Sequence, residues 1–326
     1  MSFKTRKFQE GRDWKNFVDL EFQTMKTLSD VHYQELVREH PDKTEEELIV
    51  AYGKSLKDEF DFGTADCQIF VAEDKDERYA GHVWVAIRNS EDSWDFERPV
   101  WIYDITIHPD FRRKGLGKQL MKQAEDWSRD MKRNIGLFVH HQNKPAISLY
   151  QNTGYHIKMI PLSKSLVDTE RSDTVNLEFR RMENKDQSWL DEMGFRLFKK
   201  KVRFSKEIQE NIILAKYQEV CKKIQSKEKA VRYIGVNHQD TPIAAIWISE
   251  AQFNQDFAYI DEILLDSRAA SSQVQEDIFQ QLTYAADDLG KEKIYILLHR
   301  ADCFEWEIFQ EHDFKVPGFF MEKRLI

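Results

Sequence analysis

The residues best placed to do chemistry lie between Asp104 and Gln119. Asp104-Ile105-Thr106-Ile107 closes an apolar run and His108-Pro109-Asp110 makes a turn. Phe111-Arg112-Arg113-Lys114-Gly115-Leu116-Gly117-Lys118 then leads into a helical stripe. A strand that passes through a Pro turn into a glycine-bearing helix start presents unpaired backbone N–H groups at the positive end of a helix dipole. Glycine at 115 and 117 leaves no Cβ between backbone and ligand. Arg112, Arg113, Lys114 and Lys118 add positive charge. This pattern suits a phosphate or pyrophosphate. It is not a Walker A loop, because Arg112 stands five residues before Gly117 and Gln119 follows Lys118 where the Mg²⁺-binding hydroxyl belongs. It is not a dinucleotide fingerprint either, because Leu120 takes the place of the third glycine.

Periodicity gives the elements around this loop. A strand is expected at 4–9 and a helix at 14–28, on the stripe Phe17, Leu20, Phe22 and Met25. Pro41-Asp42 and a Glu-rich first turn open a helix over 44–60. Strands follow at 67–73, 79–88 and 100–107, with the polar turn 89–93 before the last. A helix at 115–129, a strand at 134–140, a short helix at 145–152 and strands at 155–162 and 175–180 complete the first half. The polar, aperiodic stretch 182–188 reads as the boundary between two domains, 1–182 and 183–326. The second repeats the order. Its helices are expected at 205–224, 272–289 and 304–311, and its strands at 231–237, 243–249, 259–265, 293–299 and 319–325.

The repetition reaches individual residues. Tyr103-Asp104-Ile105-Thr106-Ile107 matches Asp261-Glu262-Ile263-Leu264-Leu265, and the strand ending in His140 matches the one ending in His299. Leu149-Tyr150-Gln151 and Tyr155 match Ile308-Phe309-Gln310 and Phe314. The second copy lacks the equipment of the first. Ala270 falls at Arg112, Gln273 at Gly115, Gln275 at Gly117, Asp302 at Asn143 and Phe309 at Tyr150. It keeps an apolar skeleton that folds, without the means to hold a polyanionic cofactor or to catalyse. Glu262, opposite Asp104, is expected to be a relic or a packing-edge carboxylate.

Arg-x-x-Gly-x-Gly after a strand and Pro turn resembles the GNAT superfamily of acyl-CoA-dependent N-acyltransferases. A second segment resembles that family's N-x-x-A-x-x-L-Y-x-x-x-G-[FY] motif at the expected distance: Asn143-Lys144-Pro145-Ala146-Ile147-Ser148-Leu149-Tyr150-Gln151-Asn152-Thr153-Gly154-Tyr155. The resemblance covers most of 3–181 and, as a degenerate copy, about 188–325. It implies an α/β (α+β) fold of two tandem GNAT-like domains, each with a mixed, mostly antiparallel sheet flanked by helices. It implies an acetyl-CoA-dependent N-acetyltransferase acting on a small amine or peptide acceptor, with acetyl-CoA as donor and no metal. Amides of Arg113, Lys114, Gly115, Leu116, Gly117 and Lys118, beside Arg112, would hold the pyrophosphate. The strand Ile105-Thr106-Ile107 would pair with the pantetheine arm and Asn143 would touch it. Tyr150 would protonate the departing thiolate. For the base, the resemblance leaves Asp104 or a structural carboxylate there, with His140 as fallback; a bulge in the strand would decide which way Asp104 points.

Composition narrows the partners. Lys+Arg 48 against Asp+Glu 57 gives a net −9, which disfavours nucleic acid and anionic membranes. No apolar run is long enough to span a bilayer. Asp92, Asp95, Glu97 and Asp104 suit a cationic acceptor. Cys67, Cys221 and Cys303 are dispersed, so reduced thiols and a cytoplasmic location are expected. Lys199-Lys200-Lys201-Val202-Arg203 reads as a solvated face, and Trp84 and Trp247 as core. A non-catalytic acyl-CoA-binding regulator and a tRNA-dependent aminoacyl transferase of tandem type are the alternatives. Acceptor identity and oligomeric state stay open.

Overall fold

The computed structural model describes residues 3–28, 31–88, 95, 97–166, 177–205 and 207–326. Asp92, Trp94 and the turn at 89–93 lie outside these, as does the start of the strand expected at 175–180. The first half runs β1 (Lys4–Lys7), α1 (Glu10–Leu28), α2 (Val31–Glu39), α3 (Glu45–Glu59), β2 (Cys67–Glu73), β3 (Tyr79–Ile87), β4 (Val100–Ile107), α4 (Leu116–Asp130), β5 (Ile135–His140), α5 (Lys144–Asn152) and β6 (His156–Ser165). The second runs β7 (Glu178–Arg181), α6 (Gln187–Ser205), α7 (Glu210–Gln225), β8 (Ala230–Val236), β9 (Pro242–Glu250), β10 (Phe257–Leu265), α8 (Ser272–Asp288), β11 (Lys293–His299), α9 (Trp306–Glu311) and β12 (Gly318–Lys323).

β2 and β3 are buried almost throughout because helices cover both faces. Phe17 and Val18 of α1 and Leu56 of α3 pack on Ile69, Val71 and Trp84. Leu116, Leu120, Met121 and Ala124 of α4 pack on Val83, Val85, Val100 and Ile102 from the other side. α3 starts where its chemistry says it should: Thr44 and Glu47 form a capping box over an acidic first turn.

The strands form one twelve-stranded sheet in the order β1-β2-β3-β4-β5-β12-β6-β11-β10-β9-β8-β7. It is mixed and mostly antiparallel, with β4–β5 and β10–β11 the parallel pairs. The two halves exchange their last strands. β12 lies between β5 and β6, and β6 lies between β12 and β11, so the order is the same read from either end with the halves interchanged. Buried Lys158 of β6 ties the exchange by pairing with Asp95 (3.0 Å) and with Glu322 of β12 (2.6 Å). Asp95 is therefore an internal partner instead of an acceptor contact, while Glu97 is exposed.

Five expectations change. α1 begins at Glu10, four residues earlier than the apolar stripe alone suggested, and α2 was not expected. The strand Glu178–Arg181 pairs with β8 and so belongs to the second half's sheet. Residues 182–188 are no linker: a short 3-10 turn at Asn184–Asp186 runs straight into α6. The basic run at 199–203 is not wholly solvated, since Val202 is buried and Lys201 pairs with Asp302 at 2.8 Å. Met193, Leu197, Phe198 and Val202 make a helical stripe that interleaved lysines obscure.

Gly318 enters β12 where a Cβ would lie 2.3 Å from the Val139 carbonyl oxygen and 2.6 Å from the Phe138 ring. Gly318→Val is expected to destabilise the protein by about 1–3 kcal/mol through overpacking. Because β12 serves both halves, scanning calorimetry should show one transition at lower Tm; a separate early transition of one half would contradict the exchange.

Candidate active site

The site begins at a fork. β4 and β5 pair in parallel only through Val100↔Ile135, Trp101↔Gly136 and Ile102↔Leu137. Beyond these the strands part, although β4 continues to Ile107 and β5 to His140. A β-bulge sits at the parting point. Trp84 of β3 opposes Asp104, while its neighbour Val85 opposes Ile102, so Tyr103 is the extra residue. The bulge breaks the alternation. Tyr103 stacks on Trp84 (centroids 4.9 Å), and Asp104 points to the same α1-facing side.

There Asp104 meets a cluster that sequence reading did not foresee. His82 Nε2 lies 2.8 Å from Asp104 Oδ2 and 3.6 Å from Glu21 Oε1. Tyr79 Oη and His82 Nδ1 are 2.8 Å apart, Tyr52 Oη donates to Glu21 Oε2 at 2.7 Å, and Thr106 Oγ1 donates to Asp104 Oδ1 at 3.1 Å. His82 and Glu21 are buried, and only the Asp104 side chain, 26% exposed, reaches outward. The converging atoms Glu21 Oε1, His82 Nε2 and Asp104 Oδ2 have no aligned hydrogen-bond partner among the described residues.

Burial lowers the pKa of His82, but the carboxylates of Asp104 and Glu21 outweigh it and raise the ring to about 9. Burial, and then the charge of Asp104, raise Glu21 against the pull of His82 and Tyr52. His82 thus lies between the carboxyl groups of Glu21 and Asp104, and Asp104 is the member of the three that reaches outward. The three ligand-type atoms lie within 4.8 Å of one another, a spacing that would also admit a divalent cation. The one signal available in sequence was a histidine two residues before Trp84 in a strand otherwise apolar from Ala80 to Ile87.

The loop after β4 has the expected form. His108 accepts from the Asp110 amide at a short 3-10 turn, Pro109–Phe111. Arg113 (φ 60°) and Gly115 (φ 82°) are both left-handed, and Gly115 is the N-cap of α4. The first-turn amides of Leu116, Gly117 and Lys118 have no intrahelical partner by the geometry of a helix start. Gly117 is buried, and a Cβ there would meet Leu149 at 3.2 Å and Ile107 at 3.3 Å. Arg112 turns back, its Nε donating to the Ile107 carbonyl at 3.0 Å, and Lys114 Nζ donates to the Asp110 carbonyl at 2.7 Å. Main-chain nitrogens, more than these two side chains, are left for an anion.

The remaining expected residues divide. Ile105 and Ile107 are partly buried against the core on the β4 segment that has left β5. Thr106 is buried and turned to Asp104, away from the fork. Asn143 caps α5, accepting from the Ala146 amide at 3.2 Å. Tyr150 is buried on α5; burial and then the charge of Asp104 raise its pKa, so it stays a neutral proton donor. Among the described residues its hydroxyl has no hydrogen-bond partner. His140 ends β5, its ring edge-on to Phe138 at 5.2 Å, outside the Glu21–His82–Asp104 group.

The second half keeps the fork and the bulge but not the cluster. β10 and β11 pair only over Phe257–Tyr259, and Asp261 is the extra residue at the bulge. Register places Ala245 where the first half has His82, and Leu264 where it has Thr106. Lys201 and Asp302 meet at the wall of this second fork. Glu262 is part-buried beside a cavity, its carboxyl pushed up to about 7 by burial. Trp247 lines the same cavity and is only half-buried, unlike Trp84. Both line a cavity instead of a closed core.

Residues 28–155 match the family model described as the acetyltransferase (GNAT) family, and the chain contains a GNAT-family domain over that span. Two curated relatives share part of it. The N-terminal acetyltransferase B complex catalytic subunit NAA20 of Arabidopsis thaliana is 33% identical over 89 residues, 27% of this chain and 49% of the relative. The streptothricin acetyltransferase of Streptomyces lavendulae is 35% identical over 92 residues, 28% of this chain and 46% of the relative. The chain thus spans about half the length of the curated relatives it matches. Over 99% of this chain and 96% of its own, a GCN5-related N-acetyltransferase from Sphaerobacter thermophilus is 13% identical, with a TM-score of 0.47.

The raised His82 pKa makes stability pH-dependent. A ring that titrates near 6.5 when free and about 9 when folded contributes its full stabilisation below pH 6.5 and loses it as pH rises through 9. Urea melts of the native protein should show falling stability across that window. His82→Gln should show a smaller fall; an unchanged slope would mean that His82 is not held as a cation.

Proposed function

We propose that the first half transfers an acetyl or other short acyl group from a coenzyme A thioester to a primary amine by direct attack. The family match over residues 28–155 supports acyl transfer from acyl-CoA as the class of reaction. One observation carries the step itself: the bulge at Tyr103 turns Asp104 into contact with buried His82, while the charge of Asp104 is felt at the Tyr150 phenol.

In this reading the diphosphate rests on the amides around Gly115 and the first turn of α4, and the pantetheine arm lies along β4 where β5 has left it. An ammonium is drawn to the net negative Glu21–His82–Asp104 group through its exposed member, Asp104. Neutral His82, with a proton affinity close to that of an amine, takes the ammonium proton by way of Asp104. The amine nitrogen then attacks the thioester carbon, the C–S bond breaks, the thiolate takes the proton of Tyr150, and the proton lost by the nitrogen as the amide forms returns to the Tyr150 oxygen. Glu21, Tyr79 and Thr106 are positioning residues that hold the ring and the carboxylate.

The expected acceptors follow from charge and relatives. A peptide α-amine and a small amine-bearing antibiotic are the first to assay, since relatives are named for N-terminal and streptothricin acetylation. The three cysteines are free, which fits a reducing, cytoplasmic setting. No helix among the described residues is long and apolar enough to cross a membrane.

Free-thiol release from acetyl-CoA across a panel of amines tests the reading. Tyr150→Phe and Asp104→Asn should each lower kcat by about a hundredfold or more, with KM for acetyl-CoA little changed. Because only neutral His82 accepts a proton, kcat/KM should rise with pH and level off near 9. Unchanged turnover in Tyr150→Phe would remove the phenol from the mechanism, and absence of thiol release with every amine would remove the reaction.

A further inference from the structure

Arg232, Trp247 and Glu262 form a row across β8, β9 and β10, each directly opposite the next. The Arg232 guanidinium stacks 3.4 Å from the Trp247 ring centroid. The indole therefore stands between guanidinium and carboxylate, and neither Arg232 nor Glu262 has an ion-pair partner among the described residues. Both line one cavity beneath α6 and α7. Its volume, measured to water centres, is about 70 Å³. That is room for roughly five to seven waters at 10–15 Å³ each.

Two further groups on this wall are unsatisfied. The Asp261 side chain is only 4% exposed; one oxygen is held by Lys227, and Oδ2 has no partner among the described residues. Trp247 Nε1 is buried with no hydrogen-bond acceptor among the described residues. Buried polar groups in native proteins are almost always paired. A cation and an indole N–H call for an anionic end, and two carboxyls call for a cationic one.

The first half shows that none of this is needed to build the fold. The corresponding row there is Ile69, Trp84 and Asp104, with apolar Ile69 in place of Arg232. The second half has lost the proton-holding histidine and gained a half-buried arginine. Such an exchange removes a catalytic base and supplies an anion-binding arm at the same wall.

We propose that this cavity binds a small α-amino acid, or another zwitterion of its size, with the carboxylate on Arg232 and Trp247 Nε1 and the ammonium on Glu262 and Asp261. The site lies in the half that lacks the diphosphate loop, so it holds a regulator and not an acyl acceptor. The assignment is independent of whether the first half transfers acetyl groups.

Calorimetric titration of the full chain with alanine, and with its one-ended counterparts ethylamine and propionate, tests this. Alanine should bind saturably, and each counterpart about tenfold more weakly or worse. Arg232→Met and Glu262→Gln should each weaken alanine binding about tenfold or more, with a native-like cooperative melt showing that they fold. Asp104→Asn, in the other half, should bind alanine normally. Ethylamine binding as tightly as alanine, or loss of binding in Asp104→Asn but not in Arg232→Met, would overturn the proposal. Absence of heat with alanine at any soluble concentration would also overturn it and leave the cavity to water.

Discussion

Three residue pairs hold β4 to β5, and the geometry of the candidate site depends on their parting after the third. A parallel pair that continued would close the sheet and leave no free strand edge. The bulge at Tyr103 falls where the pairing ends, which joins two consequences of one irregularity. The strand bends away from its neighbour, and the residue after the bulge changes face. Asp104 would otherwise point away from His82 and Glu21. The fork and the buried Glu21–His82–Asp104 cluster are thus a single backbone event seen from two sides of the sheet.

The exchange of β6 and β12 makes that event rigid. In a fork, the strand beyond β5 must resist being pulled open, and here that strand comes from the far end of the chain. Lys158 with Asp95 and Glu322 is buried between the halves. A buried ion pair of this kind is weak evidence for stability but good evidence for register, because each misaligned alternative strands a charge. One apolar core runs through residues of both halves, from Val83 and Leu120 to Ile263 and Phe309. The second half is therefore structurally necessary to the first whatever it binds.

The two halves also work as an internal control. They share the fork, the bulge and the tryptophan opposite the bulge's carboxylate. They differ in the loop glycines, in His82 against Ala245, in Tyr150 against Phe309 and in Ile69 against Arg232. Shared features are those the backbone needs. The differences lie at the candidate site of the first half and the cavity wall of the second.

Much of this was legible beforehand. Strand and helix order, the glycine loop, Asn143 and Tyr150 all follow from local periodicity and local motifs, because each depends on residues within a turn or two of one another. α6 was missed because lysines interrupt its stripe, and residues 182–188 read as a linker because the 3-10 turn there is polar and aperiodic. The strand exchange could not be read, since any strand with an apolar face can pair with several partners. Neither could the Glu21–His82–Asp104 group, which joins a helix and two strands. By itself, then, the sequence determined the repeated elements, the glycine-bearing loop and the loss of its glycines in the second copy. Tertiary structure alone decided which way Asp104 faces, which histidine stands behind it, and that Arg232 and Glu262 share a cavity without touching. The reason is physical: local propensity acts over a few residues, whereas a bulge, a shared strand and a buried charge are settled by what lies across the sheet.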